Sequence, residues 1–111
     1  MKIIDKKTVA ELKGLMNHPP QKIKDVMTVV AGVLGYDQDW PFVQKLVKSP
    51  EFLKIMNEFD PNTMNQDQIE IARIACENED FDPQKLMKQA QVAACFCHWV
   101  KCIDEIQRIK E

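Results

Sequence analysis

Apolar positions along the chain recur every three or four residues, and proline cuts the recurrence into segments. Val9, Leu12 and Met16 share one stripe over about residues 3–17. Thr8-x-x-Glu11 has capping-box form, while Ile3 and Ile4 could equally continue a helix begun upstream. Asn17-His18-Pro19-Pro20 ends this segment, because proline lacks an amide donor and clashes with the preceding turn. Pro20 suits the first position of a second helix, whose stripe is Ile23, Val26, Met27, Val30, Val33 and Leu34. Gly35 is its natural terminator. Asp39 caps a short helix through Trp40, Val43, Leu46 and Val47, and Ser49-Pro50-Glu51 repeats the start signal for Phe52, Leu53, Met56 and Phe59. Asp60-Pro61-Asn62 is a turn, followed by a helix over roughly 66–77 with Ile69, Ala72 and Cys76 inward. Asp82-Pro83 then opens a helix with no breaker before Glu111. Strand signals, meaning β-branched alternation bounded by turns, are absent, so the expected class is all-α.

The last helix sets the expected shape. Residues 83–111 at ~1.5 Å each reach roughly 43 Å, whereas the intervening helices are two or three turns long. Val92 to Cys97, Trp99 and Val100 are apolar almost all round, which requires burial at the centre of a bundle. Beyond Val100 the helix turns amphipathic through Ile103 and Ile106 or Ile109, and residues 3–17 are the available cover. The expectation is one domain over 1–111. It comprises a small bundle of about five to six short helices at 19–95, on an antiparallel two-helix coiled-coil stem of strands 1–18 and 96–111. A stem built from the two ends of the chain reads as a piece of something longer.

Composition narrows the function. With 45% hydrophobic residues among 111, the chain has material for one core and is not disordered by composition. The apolar stretch Val92 to Val100 is too short to span a bilayer, and the start MKIIDKKTVAEL turns charged before a signal peptide can develop. Neither membrane nor leader is therefore expected. Cys76, Cys95, Cys97 and Cys102 form no CxxC pair and fit reduced intracellular thiols better than a disulfide framework. The net charge of −2 is unevenly distributed: residues 60–82 hold seven acids against Arg73 alone, and the segments on either side are each +2. Bringing those outer segments together makes a basic surface, with the acidic segment expected elsewhere.

Three motifs, in order over about 85 residues, carry a family resemblance. They are Pro19-Pro20 followed by Lys24, VAGVLG at Val30–Gly35 and Trp40; Phe52-Leu53 to Phe59-Asp60; and Phe81-Asp82-Pro83 leading to Cys97-His98-Trp99-Val100. In these the sequence resembles the microtubule-binding stalk tip of dynein heavy chains; ciliary and cytoplasmic origins both stay open, with the Phe81-Asp82-Pro83 and Cys97-x-Trp99-Val100 wording more like axonemal dyneins. The resemblance implies a non-enzymatic, cofactor-free, monomeric domain docking between α- and β-tubulin through its first, third and last helices. It also implies affinity set by sliding of the stem strands, and a place in the cytoplasm and cytoskeleton, notably the ciliary axoneme. By position, Lys24 and Lys88 match basic contact sites, and Lys22, Lys54 and Lys85 are neighbours that could share the work. Pro19 and Pro20 become a hinge between stem and head. Gln84 and Ala90 depart from the family's usual acid and serine, the tyrosine common after the Trp segment is missing, and no flap insertion fits between Gly35 and Trp40.

The residues also permit other readings. Opposite the apolar stripe of the second helix lie Gln21, Lys24, Asp25, Thr28 and Gly32, small enough for close approach or simply a solvated face. Trp40 and Trp99 read as core. Cys95, His98 and Cys102 share one helical face with Cys76 as a possible fourth zinc ligand, but i, i+3, i+7 separates the outer pair by about 10 Å. A calcium loop from Asp60 fails, since its fifth, sixth and twelfth positions are Met64, Asn65 and Ile71. No metal is therefore expected. No nucleophile–base pattern, phosphate loop or carboxylate dyad is visible. The alternative function is a generic helical interaction domain, such as a regulatory bundle holding a partner helix. Nucleic-acid binding ranks below it, given a pI of about 5.7.

Overall fold

The Asp5 carboxylate starts the first helix, accepting a hydrogen bond from the Thr8 amide at 2.8 Å, and α1 runs Lys6–Leu15. That bond holds Asp5 below the usual carboxylate range. The expected Thr8–Glu11 box is therefore not the cap: Asp5, three residues before Thr8, takes the free amide first. The computed structural model describes residues 4–110, with only the backbone of Lys110, so residues 1–3 and 111 of the expected stem lie outside the described residues.

The Pro20 carbonyl accepts from the Ile23 and Lys24 amides, making Pro20 the residue before α2 (Gln21–Val33) and not its first. The helix ends in a complete Schellman closure. Tyr36 N donates to Ala31 O at 2.9 Å and Gly35 N to Gly32 O at 3.1 Å, with Gly35 at φ +89°. Helix α3 spans Trp40–Lys48 and α4 Phe52–Glu58, followed by a 3-10 turn at Pro61–Thr63 whose start is held by the Asp60 side chain on Asn62 N. Helix α5, Gln66–Glu77, opens on a capping box between Asn65 and Gln68. There Ala72 is buried as expected, and Ile69 and Cys76 are half-buried.

The unbroken helix expected over 83–111 is two helices, α6 (Pro83–Met87) and α7 (Gln91–Lys110). Residues 88–90 form a turn in which the Gln89 and Ala90 amides both reach the Leu86 carbonyl. No proline or glycine marks this break. It lets α6 fold against α7 and bury Leu86, with Phe81 just before it. Tertiary burial decides here over local propensity.

The core forms around α7, which packs on α2, α5 and α6 and also meets α1 and the 3-10 turn. Its first half is enclosed as expected, with Phe96, Cys97, Trp99 and Val100 all buried. Phe96 faces Phe52 at 6.1 Å between ring centroids, and Trp99 faces Phe59 at 5.6 Å. The second half of α7 is also covered: Ile103 is 0%, Asp104 6% and Gln107 9% exposed. Part of that cover is the 3-10 turn, where Gln107 Nε2 donates to Pro61 O at 2.6 Å, and α5 packs on α7 as well. The cover expected from residues 3–17 is thus corrected. Helix α1 borders α7 across a cleft between Asp5, Thr8 and Glu11 on one side and Gln91, Val92 and Cys95 on the other. The described residues measure 39 × 28 × 25 Å, with a radius of gyration of 12.9 Å. That matches the ~13 Å of a compact chain this long. They comprise seven α helices, none long and apolar enough to cross a membrane.

Candidate functional site

Lysines singled out in the sequence stand on three helices. Lys22, on the first turn of α2, borders a groove of about 280 Å³ with Asp25, Val26, Asn78, Asp80, Phe81 and Leu86. Across that groove Lys85 of α6 approaches Asp80 at 3.9 Å and donates to the Glu79 carbonyl at 3.2 Å. Lys88 is exposed just past the end of α6 and shares a shallow surface cleft with Lys85, Asp82, Gln84 and Gln89. The fold therefore places Lys22 and Asp80 on one groove, pairs Asp80 with Lys85, and sets Lys85 and Lys88 on one cleft. Lys54 is exposed on α4, and no hydrogen bond or ion pair links it to the others among the described residues. Lys24, two residues along from Lys22 and so on another side of α2, lies with its ammonium 5.7 Å from the centre of the Trp40 ring.

The acidic segment is not held apart from these lysines, contrary to expectation. Phe81 is buried beside Leu86, and burying it draws the turn at residues 78–82 into the groove next to Lys22. Asn78 stabilises the turn by accepting from Asp80 N at 2.9 Å, and Asp82 caps α6 through Gln84 N at 2.9 Å. The candidate surface thus alternates in sign, and its ion pairing is weak: 3.9 Å between side chains 54% and 76% exposed.

Compared with curated proteins, the chain is 26% identical over 104 residues to human dynein axonemal heavy chain 6, covering 94% of this chain and 2% of that protein. It is 24% identical over 102 residues to the Dynein-1-beta heavy chain of the flagellar inner arm I1 complex of Chlamydomonas reinhardtii, covering 92% and 2%. With human dynein axonemal heavy chain 2 the identity is 23% over 106 residues, covering 96% and 2%. Its homologues are axonemal dynein heavy chains. The chain spans about 2% of their length. No protein-family model matches it.

Two features of this surface were not expected. Trp40 is half-buried at the edge of the core, with the Lys24 ammonium against its ring, unlike Trp99, which is 1% exposed. Gly32 is buried under Gln38, whose Nε2 donates to Thr28 O at 3.1 Å, so this part of the α2 face is covered by the chain itself. A Cβ at Gly32 would lie 2.7 Å from Gln38 Nε2. The signal for both was the short link after Gly35, which has no room to swing away from α2.

At the junction of α1 and α2, Pro19 is half-buried and Pro20 exposed, while Gln44 of α3 donates to Met16 O at 3.0 Å and ties down the end of α1. The cysteines divide among three surroundings, with Cys97 buried in the core. Cys95 lies by Asp5 and Glu11, and Cys102 lies in a cleft with Cys76, His98, Asp104 and Arg108, its sulfur 3.6 Å from His98 Nε2. Among the described residues no three His, Cys, Asp or Glu side chains are grouped to hold a metal. Burial pushes the Cys97 thiol up to about 12 and the Cys76 thiol up to about 11, so both are protonated, poor nucleophiles at neutral pH.

Proposed function

We propose that this chain is the microtubule-binding tip of a dynein stalk, working in the ciliary axoneme. The observation that carries the reading is the match of 94% of this all-helical chain to 2% of an axonemal heavy chain, on a sequence bearing the ordered stalk-tip motifs. Lys22, Lys24, Lys85 and Lys88 are the contact residues, and Lys54 is a peripheral one. Tubulin is acidic, so these lysines gain long-range attraction and faster encounter. Each exposed pair contributes only ~0–1 kcal/mol, which suits a domain that must release. The chain itself performs no catalysis; ATP hydrolysis belongs to distant parts of a full-length motor. The Pro19–Pro20 junction is the hinge through which movement of the chain before α2 reaches the head.

Cosedimentation with stabilised microtubules over a salt series tests this. Expected is saturable pelleting that weakens steeply with salt and is impaired in Lys24→Glu and Lys88→Glu. A wild-type chain that stays in the supernatant at low salt refutes the reading and leaves a generic helical interaction domain. Normal pelleting of both charge reversals refutes the contact assignment.

A further inference from the structure

Lys24 is half-buried on α2 without a carboxylate partner: none of the three ion pairs among the described residues involves it. Its neighbour Asp25 is engaged by the Gln21 side-chain amide at 2.9 Å. What lies against the Lys24 ammonium is the Trp40 ring, 5.7 Å away at its centre. We propose that Trp40 is a positioning residue for Lys24, holding its ammonium on the outward side of α2 for an acidic partner, an inference that rests on the microtubule-binding reading.

An aromatic face suits this task because of what it leaves free. A carboxylate would hold a lysine but cancel its charge and occupy its donors. A ring attracts the cation through its quadrupole and takes none of its hydrogen bonds. A lysine so restrained loses less rotamer freedom when a partner's carboxylate arrives, and that saving goes into affinity. The platform is itself anchored. Trp40 is the first residue of α3, the Asp39 carbonyl before it accepts from Val43 N at 3.0 Å, and Gln38 is tied to Thr28 O one turn further along α2. Tyr36 and Phe42, 6.1 Å apart between centroids, close the same link from its outer side.

The test is a double-mutant cycle with the whole chain, using Trp40→Leu, Lys24→Met and both together. Microtubule affinity is measured at low salt, with melting temperature as the folding control. Trp40→Leu is expected to weaken binding roughly 2- to 5-fold in the wild-type background and to have no further effect once Lys24 is Met. Trp40→Phe, which retains a face, keeps most of the affinity. Equal losses in both backgrounds, or none in either, overturn the proposal. In the free chain the Lys24 ε-methylene protons are expected upfield of the other lysines by NMR, and the displacement vanishes in Trp40→Leu. Its absence removes the Lys24–Trp40 contact alone, whereas failure of the wild type to pellet removes the binding reading and this role with it.

Discussion

Replacing Asp80 with asparagine removes one negative charge from the middle of the lysine group while keeping the size of the side chain. Asp80 lies 3.9 Å from Lys85 and lines the groove with Lys22, so its charge acts on both. Its side chain is 76% exposed and that of Lys85 54%, so losing this pair changes stability by less than about 0.5 kcal/mol. The turn survives, because the Asp80 amide and not its carboxylate holds Asn78. Binding responds in the other direction. An acidic partner on Lys22, Lys85 and Lys88 sits within one Debye length, about 10 Å at 0.1 M salt, of the repelling carboxylate. Removing one such charge gains about 0.5–1 kcal/mol, or roughly 2- to 5-fold in affinity. Lys88→Glu changes the same surface by two charges the opposite way and weakens binding by roughly tenfold. Cosedimentation at about 0.05 M and about 0.3 M salt reads both, and screening shrinks both differences at the higher concentration. Unchanged or weaker binding of Asp80→Asn at low salt, with an unchanged melting temperature, would show that the partner does not dock on this surface.

Gly35→Ala forces a Cβ onto a residue at φ +89° and places it 3.0 Å from Gln68 Nε2, which donates to Val33 O at 2.9 Å. A loss of ~1–2 kcal/mol is expected, read as a melting temperature about 4–8 °C lower for each kcal/mol, and an unchanged melt contradicts the Schellman closure. Alkaline pH acts through the buried thiols. Because burial raises Cys97 to about 12 and Cys76 to about 11, the unfolded chain loses these protons first, near the ordinary thiol value of about 8.5. Their contribution is complete below that value and is lost as pH climbs toward 11–12. The melting temperature of Cys76→Ala/Cys97→Ala is expected to fall less steeply than wild type between about pH 9 and 11, and parallel curves refute the assignment.

Local signals read correctly at several turns, though the Thr8–Glu11 box named the wrong cap. Gly35 follows from its backbone freedom, and the Asp60 turn and the 66–77 helix from side chains acting within three positions; their elements lie within a residue or two of expectation. The apolar run at Val92 to Val100 announced the centre of the bundle for a related reason, since residues apolar on every side have only one place to go. The break at residues 88–90 had no such signal. Leu86 and Phe81 gain burial by folding α6 against α7, an energy invisible to a pattern that sees only spacing.

Charge misled for a deeper reason. Dividing the chain into acidic and basic stretches treats neighbours in sequence as neighbours in space. Burial of Phe81 instead carries Asp80 and Asp82 to the lysines they were expected to avoid. If the microtubule reading holds, this placement has a consequence for release. Carboxylates beside Lys85 are built-in competitors for a cation that must let go of its partner, and they lower affinity without removing the steering positive charge. The same logic separates the lysines into two kinds: Lys85, held by a rival acid, and Lys24, held by an uncharged ring. Charge reversal at Lys24 should therefore be more damaging than at Lys85, because only Lys85 already shares its charge with the protein.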